Sequence, residues 1–231
     1  MKDEKFLRTE ILIGTAAMER VKSSIVAVFG VGGVGSFAVE ALARAGVGHL
    51  ILIDSDVVDV TNINRQIHAT TKTIGQSKVN LMRNRILEIN PSAKVDTIEQ
   101  FYLPNNAENF FIYNYDYVID AIDTVSGKIS LVAECNKRNI KIVSSMGAGN
   151  KIDPTKFQVS DIFSTSVDPI AKVMRKKLKE LGIKNLKVVY STEQPIKKNN
   201  SESSTIGSIS FVPSAAGLIL AGEVIKELAN I

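Results

Sequence analysis

The stretch at residues 25–46, IVAVFGVGGVGSFAVEALARAG, constrains the fold more tightly than any other part of the chain. Residues 25–30 form a continuous apolar, β-branched run ending in glycine, as expected of a strand covered on both faces. Phe37, Leu42 and several alanines then recur at helical spacing until Gly46 stops the pattern. A strand that passes through a glycine turn straight into an apolar helix has one economical solution, in which the helix folds back onto a parallel sheet.

The alternation continues downstream. HLILID (49–54) reads as a second strand, and residues 77–90 as a helix with Val79, Met82, Ile86 and Ile89 on one face, ended by Pro91. KVDTIEQ (94–100) and YVIDAID (117–123) read as strands three and four. Asp123 and Thr124 then lead into a helix through Cys135, and IKIVSS follows as a strand. The fold predicted is α/β: a doubly wound, mostly parallel, Rossmann-like sheet with right-handed crossovers and an elaborated C-terminal half.

Beyond Pro154 the rhythm weakens. FQVSDI and LKVVYS read as strands, and residues 168–182 as an amphipathic helix with Ile170, Val173, Met174, Leu178 and Leu181 as its apolar stripe. SISFV reads as a last strand, separated by Pro213 from an apolar helix. KKNNSESSTIG (197–207) is polar and low in complexity, and reads as a flexible loop. With no internal repeat, residues 1–231 are expected to form a single domain. Its first half (1–150) would bind a nucleotide and its second (151–231) a substrate or partner.

Composition narrows the class. A chain of 231 residues that is 45% hydrophobic has the length and apolar content to bury a core, which excludes a disordered protein. A single Cys excludes an intrachain disulfide framework and a Cys-rich zinc site, and points to a reducing compartment. The sequence contains no apolar run long enough to span a bilayer, and MKDEKFLRTE lacks a signal-peptide pattern. A soluble, cytoplasmic protein without membrane insertion is therefore expected. The net charge of +4 is unevenly spread: residues 170–200 carry nine bases and two acids, a net +7, which leaves the remainder at −3. Such a segment suits a polyanionic partner, and equally a solvated face.

Glycines at 30, 32 and 35 form G-x-G-x-x-G directly after a strand and before a helix, with Gly33 inside the same loop. The first glycine permits the turn, the second lets backbone approach a phosphate, and the third lets helix and strand pack closely. The helix N-terminus supplies free N–H groups for an anion. Asp54 ends the second strand, where a carboxylate can hold ribose hydroxyls. The loop alone does not separate NAD from ATP. Asn62, Arg65 and Lys78 after the second strand tilt the reading to ATP, because a triphosphate needs cations and a redox cofactor does not need them there.

GVGGVG, LIDSDVVDVTNINRQ, GQSKV and VIDAID together resemble the ubiquitin-activating-type (ThiF/MoeB-like) adenylating superfamily. The resemblance implies that Asp54 holds the ATP ribose and that Asn62, Arg65 and Lys78 contact the phosphates. It implies that Asp123 holds Mg²⁺, and that Arg8 in FLRTEILIG reaches the ATP of a partner subunit in a homodimer. Two departures are informative. The C-x-x-C pairs common among sulfur-carrier activators are missing, and no cysteine stands where thioester-forming activators need one. Within the superfamily, RTEILIG, TNINRQIHA, INP and SMGAGNKIDPTKFQVSDI are most similar to the branch that dehydrates threonylcarbamoyladenosine in tRNA.

That branch implies an ATP-dependent dehydration through an acyl-adenylate of the threonyl carboxylate. Arg65, Lys78, Arg8 and Asp123 would act in catalysis, and Lys172, Arg175, Lys176 and Lys179 would be candidate tRNA contacts. A sulfur-transfer protein is a further partner the resemblance allows. The alternatives at this stage are an enzyme adenylating the C-terminus of a small sulfur-carrier or ubiquitin-like protein, and a non-catalytic nucleotide-binding module.

Overall fold

In the computed structural model, which describes residues 4–196 and 206–231, the strand–helix alternation of the sequence becomes one seven-stranded sheet covered by helices on both faces. The chain opens with α1 (Leu7–Ile13) and α2 (Thr15–Ser23), then runs through β1 (Ile25–Phe29), α3 (Gly35–Ala45), β2 (His49–Ile53), α4 (Lys78–Ile89) and β3 (Lys94–Ile98). It continues through β4 (Tyr117–Asp120), α5 (Val125–Lys137), β5 (Lys141–Ser145), β6 (Phe157–Asp161), α6 (Pro169–Glu180), β7 (Lys187–Ser191) and α7 (Phe211–Ala229).

The strand order is β3-β2-β1-β4-β5-β7-β6, parallel throughout except for β6, which pairs antiparallel with β7 at the edge. β1 is central, with Phe29 registered against Ile53 on one side and Asp120 on the other. Successive connections leave β1 in opposite directions, so the carboxyl ends of β1 and β4 part around a crevice at the topological switch point. Val26 to Phe29 are fully buried, which explains why β1 reads as an unbroken apolar run rather than an alternation.

The helices split the core into layers. One face of the sheet packs Leu42, Met82, Ile86, Leu220 and Val224 from α3, α4 and α7. The opposite face packs Phe29, Tyr102, Phe110 and Leu131, and buries the lone Cys135, whose thiol is pushed up from its ordinary pKa by desolvation. A third cluster joins α6 to the β5–β7 region through Met174, Leu178 and Val188. Among the described residues no helix is long and apolar enough to cross a membrane.

Three details depart from the sequence reading. SISFV is not a strand: Phe211, Val212 and Pro213 open α7. A proline in the first helical turn costs nothing, because the amide it lacks would have no intrahelical acceptor there. On α6 the buried residues are Ala171, Met174 and Leu178, while Val173 and Leu181 of the expected stripe are exposed. This three-residue seam packs against Val132 of α5, Ile162, and Val188 and Tyr190 of β7. Residues 197–205 of the expected loop lie outside the described residues.

α7 packs most extensively against α3, the helix that follows the glycine loop. Leu220→Ala is therefore expected to lower the unfolding free energy by about 2–5 kcal/mol through lost burial and a residual cavity. Urea denaturation followed by far-UV circular dichroism measures it.

Candidate active site

The glycine loop is shaped by two steric demands. Gly30 adopts φ +86°, and a Cβ there would lie 2.5 Å from the carbonyl oxygen of Ala121. A Cβ on Gly35 would lie 1.8 Å from the carbonyl oxygen of Gly30, so only glycine lets α3 begin against its own turn. Gly35 therefore packs, while Gly30, Gly32 and Gly33 line a cavity of about 740 Å³ at the switch point. Asp54, Asn62, Arg65, Lys78 and Asp123 line the same cavity. Residues spread in sequence from Gly30 to Asp123 are brought to one place by the carboxyl ends of β1, β2 and β4.

Each side chain has a local cause for its position. Asp54 Oδ2 accepts the Val31 amide at 2.7 Å and Oδ1 accepts the Asp56 amide at 2.9 Å, which ties the β2 end to the glycine loop. Burial pushes the Asp54 carboxyl above its ordinary pKa, against the pull of those two amides and of Lys78. Asn62 sits in a short 3₁₀ turn, its Oδ1 accepting the Asp59 amide at 3.0 Å in a capping box. Lys78 starts α4 and is 5% exposed, with Nζ 2.7 Å from Asp56 Oδ2.

Arg65 differs from the other cavity cations. Its guanidinium donates to the Thr61 carbonyl at 2.8 Å and to Asn64 Oδ1 at 2.9 Å, and among the described residues no carboxylate neutralises it. The N-cap of α5 is Thr124, so Asp123 is not engaged in capping that helix. The Asp123 carboxylate faces solvent at the cavity wall without a hydrogen-bond donor among the described residues.

Two buried ion pairs were not among the sequence candidates. Lys128 Nζ lies 3.1 Å from Asp120 Oδ2 and 2.7 Å from the Ser145 carbonyl, while Ser144 Oγ donates to the same carboxylate. Asp120 Oδ1 also accepts the Ile122 amide at 3.1 Å, which bends the chain so that Asp123 follows at the rim. Lys128 had a legible signal: it shares a helical face with Leu131, Val132 and Cys135. The second pair joins Lys151 Nζ to Asp168 Oδ2 at 3.3 Å. Asp168 caps α6 through Ala171, and its Oδ2 also accepts the Gly147 amide at 3.1 Å, which binds the 145–151 loop to that helix. The Asp-Pro dipeptide is the sequence trace of that cap.

Other expected residues lie elsewhere. Arg8 is exposed on α1 and does not line the cavity of its own chain. Lys172, Lys176 and Lys179 are exposed on α6, whose first residues Pro169 and Ile170 do line the cavity. Arg175 departs from the expected patch: it is half-buried, with Nη1 donating to the Thr165 carbonyl at 3.1 Å and to Thr165 Oγ1.

The arrangement can hold an anion against the α3 N-terminus, place a ribose near Asp54, and neutralise phosphate charge with Arg65 and Lys78. Among the described residues, no Ser–His or Cys–His pair lines the cavity. His68 lies behind the site, 5% exposed, and neither ring nitrogen has a partner among the described residues. Burial, with Lys78 and Arg85 nearby, lowers its pKa to about 4. Because the unfolded chain then binds a proton that the folded chain refuses, His68 removes stability as pH falls from about 6.5 toward 4. His68→Leu is expected to abolish up to about 3 kcal/mol of that acid destabilisation. Urea midpoints of both proteins at pH 7 and pH 4.5 give the difference.

The sequence matches the ThiF family over residues 7–231. It is 50% identical over 239 aligned positions to the tRNA threonylcarbamoyladenosine dehydratase of Bacillus subtilis, spanning 97% of this chain and 94% of that protein. The crystal structure of Escherichia coli tRNA N6-threonylcarbamoyladenosine dehydratase, TcdA, in complex with ATP superposes with a TM-score of 0.92 at 38% identity, covering 98% of this chain and 94% of that one. The molybdopterin-synthase adenylyltransferase of Salmonella typhimurium is 36% identical over 126 residues, which cover 54% of this chain and 50% of that protein. A match that runs from α1 through the glycine loop to the final residue settles the kinship: this chain belongs to the ThiF family.

Proposed function

We propose that this protein is an ATP-dependent dehydratase of threonylcarbamoyladenosine in tRNA. One observation carries the reading: the similarity to the B. subtilis dehydratase extends over 97% of the chain, through the loops that build the cavity as well as the core. The threonyl carboxylate attacks the α-phosphorus of ATP, forming an acyl-adenylate and releasing pyrophosphate. The carbamoyl group then closes on the activated carbonyl and expels AMP, so that one oxygen of the original carboxylate leaves on AMP and a cyclic product remains.

This chemistry suits a site without a protein nucleophile. A carboxylate is already ionised near pH 7 and needs no general base. Asp54 orients the ribose, the glycine loop and the α3 N-terminus hold phosphate, and Arg65 and Lys78 neutralise charge on the departing pyrophosphate. Lys78 would exchange its contact with Asp56 for a phosphate oxygen. No cluster of three His, Cys, Asp or Glu side chains that could hold a metal occurs among the described residues. A single free carboxylate, Asp123, fits Mg²⁺ that takes its other ligands from phosphates and water, and the ion would supply charge neutralisation there.

The exposed position of Arg8 on α1, beside Ile11 and Leu12 at 75% and 84% exposure, supports a homodimer in which this arginine serves the partner's cavity. The tRNA would lie along α6 and its +7 segment, bringing the modified base to the cavity mouth at Pro169 and Ile170. A tRNA substrate in turn implies a cytoplasmic protein. Adenylation of a small-protein C-terminus, the activity suggested by the molybdopterin-synthase adenylyltransferase, would use the same ATP site, and its match covers 54% of the chain.

Incubation of the protein with threonylcarbamoyladenosine-containing tRNA, ATP and Mg²⁺ is expected to remove one water from that nucleoside, read by mass spectrometry; an unchanged nucleoside mass would refute the reading. Arg65→Ala should cost about 3–4 kcal/mol in turnover, as for other lost transition-state donors. Replacing Lys172, Lys176 and Lys179 by Glu should lower the slope of log K against log salt for tRNA by about 2–3 and leave ATP affinity unchanged. Filter binding at several salt concentrations reports the slope.

A further inference from the structure

Asn64 is exposed, yet both ends of its amide are engaged, and in opposite senses. Its Oδ1 accepts from Arg65 Nη1 at 2.9 Å, and its Nδ2 donates to the Ser208 carbonyl at 3.0 Å. The second contact reaches a segment 144 positions away, whose Ile206 and Ser208 line the same cavity as Arg65. Gly207 of that segment is bound in both directions to Asn150. Its amide donates to Asn150 Oδ1 at 2.7 Å, and its carbonyl accepts the Asn150 amide at 2.8 Å. Asn150 belongs to the 145–151 loop, which Gly147 and Lys151 fasten to Asp168, the N-cap of α6. A string of hydrogen bonds therefore runs from Arg65 to the helix that carries the exposed lysines.

The link needs an acceptor and a donor side by side, since a guanidinium offers donors alone and a backbone carbonyl only accepts. An aspartate would keep the first contact and lose the second. The two Arg65 contacts, to Asn64 and to the Thr61 carbonyl, both use Nη1, so among the described residues Nε and Nη2 remain for a phosphate. We infer that Asn64 is a positioning residue that couples the two halves of the cavity, setting the Arg65 guanidinium by reference to the wall on which the tRNA is seated. A tRNA held on α6 steadies the 145–151 loop and, through Asn150 and Gly207, the carbonyl that anchors Asn64. The guanidinium is then oriented before the nucleotide meets it, and less freedom is lost on binding. Each substrate consequently tightens the other by the same factor. The inference rests on the tRNA reading above.

The test titrates the α,β-methylene analogue of ATP, which cannot release pyrophosphate, into the full chain by calorimetry. Each titration is made with and without saturating threonylcarbamoyladenosine-containing tRNA. Wild type should bind the analogue at least about fivefold more tightly when the tRNA is present. In Asn64→Ala and Asn64→Asp that ratio should fall to within about twofold of unity, while Asn64→Ala without tRNA should stay within about threefold of wild type. Asn150→Gly suits the φ of +56° at that position and removes the Oδ1 contact, so it should at least halve the ratio from the other end. A ratio near unity in wild type overturns the inference, and so does a wild-type ratio in both Asn64 variants. Weaker binding by Asn64→Ala with the ratio intact also overturns it, by making Asn64 a support of the nucleotide half alone. If wild type does not bind this tRNA at all, the tRNA reading falls and takes the coupling with it, an outcome distinct from the other three.

Discussion

The contact between the α carbon of Gly35 and the carbonyl of Gly30 sets the geometry on which the rest of the molecule depends. It fixes how closely α3 can begin to the carboxyl end of β1, and therefore where the free amides of that helix point. Because β1 lies between β2 and β4, where the strand order reverses, the same contact bears on the width of the crevice. Gly30 is pressed against Ala121, so β4 and its following loop are held in register with the turn. Among side chains, Asp54 ties the turn down through the Val31 amide. The phosphate cradle is backbone held against backbone, which is why it needs glycine rather than any particular functional group.

Around that cradle the charges are arranged by pairing. Lys128 is matched to Asp120, Lys151 to Asp168 and Lys78 to Asp56, so most cations at the cavity are committed within the chain. The first two pairs are almost wholly buried, where an unpaired charge would cost several kcal/mol, and each also holds a loop: the one carrying Asp123 and the one at 145–151. Lys78 is different, because its partner Asp56 is largely exposed and can be given up to solvent. The site therefore separates cations that shape walls from cations available to a substrate, and Arg65 is the clearest of the second kind.

Much of this was legible in the sequence. The buried strands announced themselves as apolar runs because a sheet covered on both faces leaves no polar alternation to read. The glycine spacing, Asp54, Asn62, Arg65, Lys78 and Asp123 could be named because each has a chemistry that local context either supports or denies. What escaped were pairs whose partners are far apart in sequence: nothing near Lys151 indicates Asp168, and only the apolar face around Lys128 hints that it is buried. SISFV misled because β-propensity over five residues cannot see that α3 offers a surface for a helix. Val173 and Leu181 misled for a related reason, since helical periodicity gives the direction of an apolar face but not how wide a surface awaits it.

The packing of α7 on α3 has a consequence in time. The helix that presents the phosphate cradle is completed early in the chain, but the surface that steadies it comes from the far end, and Pro213 of α7 itself forms part of the cavity wall. Pairing so distant in sequence is entropically slow to close. A growing polypeptide can therefore assemble β1, α3 and β2 well before it can hold a nucleotide, and the ability to bind ATP should arise late, as one of the last events of folding.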